Sequence, residues 1–301
     1  MSETNIPIRP FADRLVHATR ELGPLCVGID PHFGKLPPIF GPDGPGALAL
    51  WGEAIVQRVV GKAAVVKPQA GLFERWGAAG VAALEHVCRA ARDAGLIVIL
   101  DAKRGDIGST AMGYAQAYLG PTSACPCDAI TVNPYMGVET LEPFIALAEA
   151  HGKGVAVLAR TSNPGSADFQ ARLVDGDPLY IRVAQALAPM IDRLKGVETS
   201  WSGLMLVAGA TGPEEAEALR SAAPEALFLT PGYGAQGAGA RAALAGYVKG
   251  PNGLEGGVVN ASRSVTLPQA AYEAETAEKW NAAIDAAILD AQADLKAAAL
   301  A

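Results

Sequence analysis

Short, unbroken runs of apolar residues rich in Val, Ile and Leu recur along the chain. Each is bounded by Gly, Pro or a polar residue and followed by a longer stretch with helical character. Eight such runs can be read: LCVGID ending at Asp30, AAVVKP around Lys67, LIVILD ending at Asp101, DAITVN ending at Asn133, GVAVLA ending at Ala159, GLMLVA ending at Ala208, ALFLTP near Thr230 and GVVNAS ending at Ser262. Continuous apolar character suits strands covered on both faces, and alternation with helices makes the connections parallel crossovers. Eight strand–helix units predict an α/β fold of the (β/α)8 TIM-barrel type. An open, doubly wound sheet is the structural alternative. Its dinucleotide-binding form would want G-x-G-x-x-G after the first strand, which Gly28-Ile29-Asp30-Pro31 does not supply.

Helices are expected at 48–60, 72–94, 111–119, 138–150, 179–194 and 213–222, with a short one near 240 and a long Ala-rich one over 268–300. Pro213 and Pro268 stand where a first helical turn accepts proline. No linker divides the chain, so residues 1–301 are expected to form a single barrel domain with an N-terminal extension and a C-terminal helix. The Pro/Gly-rich stretches 31–46, 160–177 and 231–253 each follow a strand, which assigns them to loops at the catalytic rim.

Composition narrows the partners. With 301 residues, half of them apolar, the chain has ample material for a core and is not a disordered protein. Its 24 basic and 31 acidic residues give a net charge of −7 with no block of like charge, which argues against nucleic acid or an anionic membrane as partner. A small anionic ligand would have to be held by a few local cations and backbone N–H groups, because the global field repels it. The opening MSETNIPIRPFADR lacks an apolar core after a basic stretch, and no later window approaches a membrane span, so a cytoplasmic location is expected. The four cysteines, Cys26, Cys88, Cys125 and Cys127, read as reduced thiols, and the C-P-C pair has no second ligand pair beside it. The histidines (His17, His32, His86, His151) are scattered and read as structural or surface residues; no metal site is expected.

The charged residues sit where a barrel does chemistry. The third strand ends in Asp101-Ala102-Lys103-Arg104-Gly105-Asp106. Residues two apart on an extended backbone share a side, so Asp101 and Lys103 can pair, buried, at the mouth of the barrel. By itself D-x-K-x-x-D is weak, arising by chance in roughly one chain of this length in fifteen at average residue usage, and it could be a salt bridge closing the barrel top. Register strengthens it, since Asp30 and Lys67 close the first two strands. Unit charges about 4 Å apart interact by about 4 kcal/mol at an effective dielectric near 20, enough to keep both lysines protonated. Protonated lysines favour charge stabilisation and proton donation over the amine attack of a Schiff-base enzyme. After the seventh strand comes TPGYGAQGAG (230–239), and after the eighth Ser262-Arg263-Ser264. Small residues that admit backbone N–H groups, together with an arginine fork, form a phosphate site at the place where barrels commonly carry one. Thr161, Ser162 and Asn163 add hydroxyl and amide groups after the fifth strand.

The ordered set GID at 28–30, VKPQ around Lys67, DAKRGDIGST at 101–110, TVNPY at 131–135, RTSNPG at 160–165, TPGYGAQG at 230–237 and the arginine after the eighth strand resembles orotidine 5′-monophosphate decarboxylases, specifically the longer bacterial (type 2) branch. The resemblance spans all eight units. It implies a cofactor-free loss of CO2 from a nucleotide substrate, with Lys103 stabilising and then protonating the C6 carbanion and Asp101 positioning the lysine beside the substrate carboxylate. It further implies a homodimer with shared active sites, in which Asp106, Ile107 and Thr110 enter the partner's site. Asp30 and Lys67 would hold the ribose, Ser162 would read the pyrimidine edge, Pro231 and Gln236 would close over the nucleotide, and Arg263 would bind phosphate. Ser262 stands where many relatives have glycine. The alternatives are a metal-dependent sugar-phosphate decarboxylase or synthase of the same superfamily, which places a glutamate where Lys67 stands, and a phospho-ligand-binding barrel without chemistry.

Overall fold

The structure is a computed structural model that describes residues 8–234 and 237–301. All eight apolar runs form strands: β1 (Leu25–Ile29), β2 (Val65–Pro68), β3 (Ile97–Arg104), β4 (Ala129–Val132), β5 (Gly154–Arg160), β6 (Ser202–Ala208), β7 (Ala226–Thr230) and β8 (Gly257–Ala261). They pair in parallel in chain order, and β8 returns to β1 through Leu25↔Val259, which closes the barrel.

Closure leaves each strand with one face inside the barrel and one against the helices, so the apolar runs divide by alternation. Cys26, Val65, Ile97, Ile99, Ala129, Ala156, Met205, Leu227 and Val258 fill the interior. Val27, Val66, Val98, Leu100, Ile130, Val155, Val157, Leu206, Phe228 and Val259 face outward into the helical layer. Two residues beyond the last apolar interior position, the period-two step reaches Lys67 on β2, Asp101 on β3, Thr131 on β4 and Asn260 on β8, all buried. The interior thus changes from hydrocarbon to charge within one layer.

Several expected helices are interrupted for local reasons. The 72–94 segment divides into Ala70–Glu74 and Gly77–Asp93, with Gly77 turning the chain at φ +64°. The 179–194 segment divides into Leu179–Ala186 and Ala188–Arg193, because Pro189 cannot supply the N–H that would carry the first helix onward. The C-terminal segment restarts as Ala277–Leu300, whose cap Thr276 accepts a hydrogen bond from the Lys279 N–H at 3.3 Å. The sequence reading does not contain the N-terminal helix. Phe11–Leu22 lies across the N-terminal end of the barrel, where Phe11, Leu15 and Val16 seal the interior beside Trp201.

The same end carries a buried cation with no carboxylate partner among the described residues. Arg220 stacks on the rings of Phe228 (3.9 Å) and Trp201 (4.8 Å). Its guanidinium donates to the carbonyls of Gly246, Ala223, Pro224, Ala226 and Gly256 at 2.6–3.3 Å. Burial lowers its pKa to about 10, still far above neutrality. One planar fork therefore ties together the entries of β7 and β8 and the loop at 246. Replacing it by Leu strands these acceptors, and we expect Arg220→Leu to cost about 3 kcal/mol or more. Urea unfolding checks this, and a loss below about 1 kcal/mol would show that the carbonyls find water instead.

Candidate active site

At the C-terminal end of the barrel the strand tips and following loops enclose a cavity of about 710 Å³, within the range of about 300–1,000 Å³ usual for small-molecule sites. Its lining includes Asp30, Lys67, Asp101, Lys103, Ser162, Pro231 and Arg263, seven of the residues singled out from the sequence.

Asp101 lies at the centre. Its Oδ2 accepts from Lys67 Nζ at 2.9 Å and from Gln69 Nε2 at 3.0 Å, while its Oδ1 accepts from Lys103 Nζ at 2.5 Å and from Thr131 Oγ1 at 3.1 Å. Lys67 also approaches Asp30 Oδ1 at 3.9 Å. Burial alone would raise the pKa of Asp101, but the flanking ammonium groups of Lys67 and Lys103 prevail and hold it below the usual carboxylate range. For Lys67, burial would lower the pKa, yet Asp101 and Asp30 outweigh it and keep the ammonium charged above the ordinary lysine value. Two carboxylates and two ammonium groups alternate and balance, which is how four charges share the cavity floor. Asp30 Oδ1 is buried with no hydrogen-bond partner among the described residues, which leaves it an acceptor available to a ligand.

One part of the sequence expectation is corrected. Asp101 is buried, but the Lys103 side chain is 47% exposed, and its backbone is not extended. Lys103 has φ +48°, one of two non-glycine residues with positive φ among those described. The β3–β4 register slips at this point: Leu100 pairs with Ile130 and the next pairing is Arg104 with Val132, so three residues of β3 stand opposite Thr131. The ammonium reaches Asp101 by this detour, with its side chain free to project into the cavity.

The rim is built by glycine and by side-chain ties. Gly232 (φ +107°) and Gly234 (φ +71°) take conformations that admit other residues poorly, and they shape the loop that brings Pro231 and Tyr233 to the cavity. Tyr233 donates its hydroxyl hydrogen to Asp294 Oδ2 at 2.7 Å, fastening this loop to the C-terminal helix. Gln236 lies outside the described residues. After β5, Gln170 pins Thr161 through N–H and hydroxyl contacts, and Arg160 bonds to Ser166 and to Glu215, which sets the path of Ser162 and Asn163. Arg263 begins a short helix at the opening beside Ser262. A Cβ at Gly28 would overlap the Ser262 hydroxyl, so the serine at 262 is accommodated by the missing side chain across the barrel seam.

Asp106, Ile107 and Thr110 do not line the cavity of their own chain. They follow β3, where Asp106 is half-buried and Ile107 is 61% exposed. Sequence reasoning did not single out His32, Gln69, Thr131 or Asn260, which all line the cavity. The last three carry a usable signal, since each lies on the interior period of its strand. His17 and His86 pair with Glu198 and Glu53 on the exposed surface. All four cysteines are free and buried. Among the described residues, no three His, Cys, Asp or Glu side chains are grouped so as to hold a metal ion, and no helix is long and apolar enough to cross a membrane.

Comparison with known proteins places this geometry among relatives. Residues 23–279 match the family model described as orotidine 5′-phosphate decarboxylase / HUMPS family. The orotidine 5′-phosphate decarboxylase of Salinispora tropica is 46% identical over 231 residues, 76% of this chain and 81% of that protein. The enzyme of that name from Rhodopirellula baltica is 38% identical over 305 residues, 95% of this chain and 99% of its own. Among solved structures, the OMP decarboxylase of Leishmania donovani superposes with a TM-score of 0.76 at 33% identity, covering 96% of this chain and 98% of that one.

The charge set has a pH signature. Because Asp101 is more acidic in the folded chain than its ordinary 3.8, its stabilising contribution is present above that value and drains away as pH falls below it toward the lowered folded value. The Lys67 contribution has the opposite sense, present below 10.5 and lost only as pH climbs through its raised folded value. We expect Asp101→Asn to destabilise by about 3 kcal/mol at pH 7, as for loss of one partner of a buried pair, and by much less near pH 2. Denaturation at the two pH values measures the difference; a pH-independent loss would remove the charge from the explanation.

Proposed function

The chain belongs to the orotidine 5′-phosphate decarboxylase / HUMPS family, and from this we propose that it removes CO2 from C6 of orotidine 5′-monophosphate to give uridine 5′-monophosphate in pyrimidine synthesis. The observation that carries the reading is the Lys103 ammonium, 2.5 Å from Asp101 and half exposed to a cavity whose opening is lined by Arg263. Arg263 and the N–H groups of the glycine-bearing 231–234 loop bind the phosphate. Asp30, whose Oδ1 accepts no hydrogen bond from the described residues, and Lys67 hold the ribose hydroxyls, and Ser162 reads the pyrimidine edge.

This seating sets C6 over Lys103. Heterolysis of the bond from C6 to the carboxyl carbon releases CO2 and leaves the electron pair on C6. The adjacent ammonium stabilises that pair and then delivers a proton to it; the resulting amine regains a proton from solvent. Asp101 holds the ammonium in position, and its own charge lies beside the departing carboxylate. Binding energy from the phosphate, remote from C6, is available to close the loops and exclude water.

Lys67 supports a reaction without a metal ion. Its ammonium already occupies the gap between Asp30 and Asp101, where a metal-dependent relative would need a further carboxylate. The placement of half-buried Asp106 and exposed Ile107 and Thr110 outside the cavity of their own chain supports their delivery to the site of a second copy, in a homodimer with shared sites. The buried free thiols accord with a reducing, cytoplasmic setting.

The test is loss of orotidine monophosphate absorbance with purified protein. We expect turnover that survives EDTA, is abolished by Lys103→Ala with uridine monophosphate binding retained, and shows a raised KM in Arg263→Ala. A folded protein that binds uridine monophosphate without turnover would establish a binding barrel instead, and EDTA sensitivity would establish metal dependence. Subunit sharing has its own check. Lys103→Ala and Asp106→Ala proteins, each inactive alone, should regain about a quarter of the activity when mixed, since half the dimers carry one intact site. No recovery after verified subunit exchange would place Asp106 outside the site.

A further inference from the structure

The register slip between β3 and β4 leaves the N–H groups of Ala102 and Lys103 without a partner in the ladder, and one side chain takes both. Thr131 Oγ1 accepts from Ala102 N at 2.9 Å and from Lys103 N at 2.8 Å, and donates its hydrogen to Asp101 Oδ1 at 3.1 Å. A hydroxyl offers one donor and two acceptor lone pairs, so these three bonds use its full capacity. Asp101 Oδ1 is also the oxygen that receives Lys103 Nζ. Thr131 is itself 1% exposed and stands on the interior period of β4, beneath the cavity.

We propose that Thr131 is the positioning residue for Lys103: its hydroxyl stabilises the left-handed backbone that projects the lysine into the cavity and orients the carboxylate that steers its ammonium. A non-glycine residue at φ +48° is strained and persists only where the surroundings hold it. The alternative open to this segment is regular strand, with residues 102 and 103 pairing along β4. An extended residue 103 would still face the same side as Asp101, but its Cα would stand a full two-residue step, about 6.6 Å, further along the strand, so the ammonium would set out from a different point than it does now. The hydroxyl removes the alternative's advantage by giving both displaced N–H groups a buried acceptor. Gln69 and Lys67 hold the other carboxylate oxygen, so Asp101 remains anchored without Thr131 while Lys103 does not.

For its catalytic arm this inference rests on the decarboxylase reading above. The experiment compares Thr131→Val, which keeps the shape and removes the hydroxyl, with Thr131→Ser, which keeps the hydroxyl and removes a methyl. We expect Thr131→Val to lower kcat by about two orders of magnitude, the scale at which misplacement of a reacting group registers. Its KM and its affinity for uridine monophosphate should change less than about threefold, because phosphate and ribose contacts are remote. Thr131→Ser should restore most of kcat. A Thr131→Val enzyme with kcat near that of the unaltered chain, or a Thr131→Ser enzyme as impaired as the valine variant, overturns the proposal. Crystal structures of the unaltered chain and the variants give an arm independent of activity. Lys103 should lie in the left-handed region in the unaltered chain and Thr131→Ser, and leave it in Thr131→Val. An unchanged backbone in the valine variant overturns the role even if the protein proves to catalyse nothing, whereas a shifted backbone in an inactive protein sustains it and rejects only the decarboxylase reading. Should Thr131→Val not fold, Thr131→Cys, with a weak acceptor at the same place, is read against the same outcomes.

Discussion

A carboxylate shared by two ammonium groups, buried at the end of a hydrocarbon-filled barrel, is the interaction around which this molecule is arranged. The charges of Asp101 and Lys67 would each be expensive there alone, because burial disfavours the ionised form of both. Together they fix one another's protonation: Lys67 and Lys103 keep Asp101 ionised, and Asp101 with Asp30 keeps Lys67 charged in spite of its burial. The result is a site whose charge pattern exists before any ligand arrives. Preorganisation of this kind acts on developing charge without the reorientation that water would require.

The barrel supplies that arrangement through elementary periodicity. Interior positions recur every second residue, so Val65, Ile99, Ala129 and Val258 give way two residues later to Lys67, Asp101, Thr131 and Asn260. The outward positions stay apolar and bind the helices, and the base is sealed by Phe11–Leu22 and stitched by Arg220. Stability and chemistry therefore occupy opposite ends of the same strands. The loops at the reactive end are held by bonds to the scaffold, Tyr233 to Asp294 and Arg160 to Glu215, so their reach is limited by where those anchors lie.

The strands were legible because all eight are continuous apolar runs, and Asp30, Lys67 and Asp101 were legible because ionisable residues at the ends of such runs are conspicuous. Gln69, Thr131 and Asn260 lie on the same interior period, but polar neutral residues near strand ends are common and do not announce themselves. The conformation of Lys103 was hidden for a stronger reason. It depends on the pairing between two strands, and the alternation rule applied to either strand alone puts an extended residue there. The terminal helix Phe11–Leu22 was missed because its buried side, Phe11, Leu15 and Val16, is short and interleaved with charges. Residues 106, 107 and 110 were grouped by resemblance to a family, and a single chain shows only that they lie outside its own cavity.

The contact between Gly28 and Ser262 has a consequence for how the barrel can vary. These residues belong to the first strand and to the segment after the last, far apart in sequence, yet they compete for a single volume where the sheet joins itself. Enlarging residue 28 is tolerable only after residue 262 has shrunk, so the order in which the two substitutions occur determines whether an intermediate survives. Neighbouring lineages can then hold different occupants of the same space, one filling it from the beginning of the chain and another from its end.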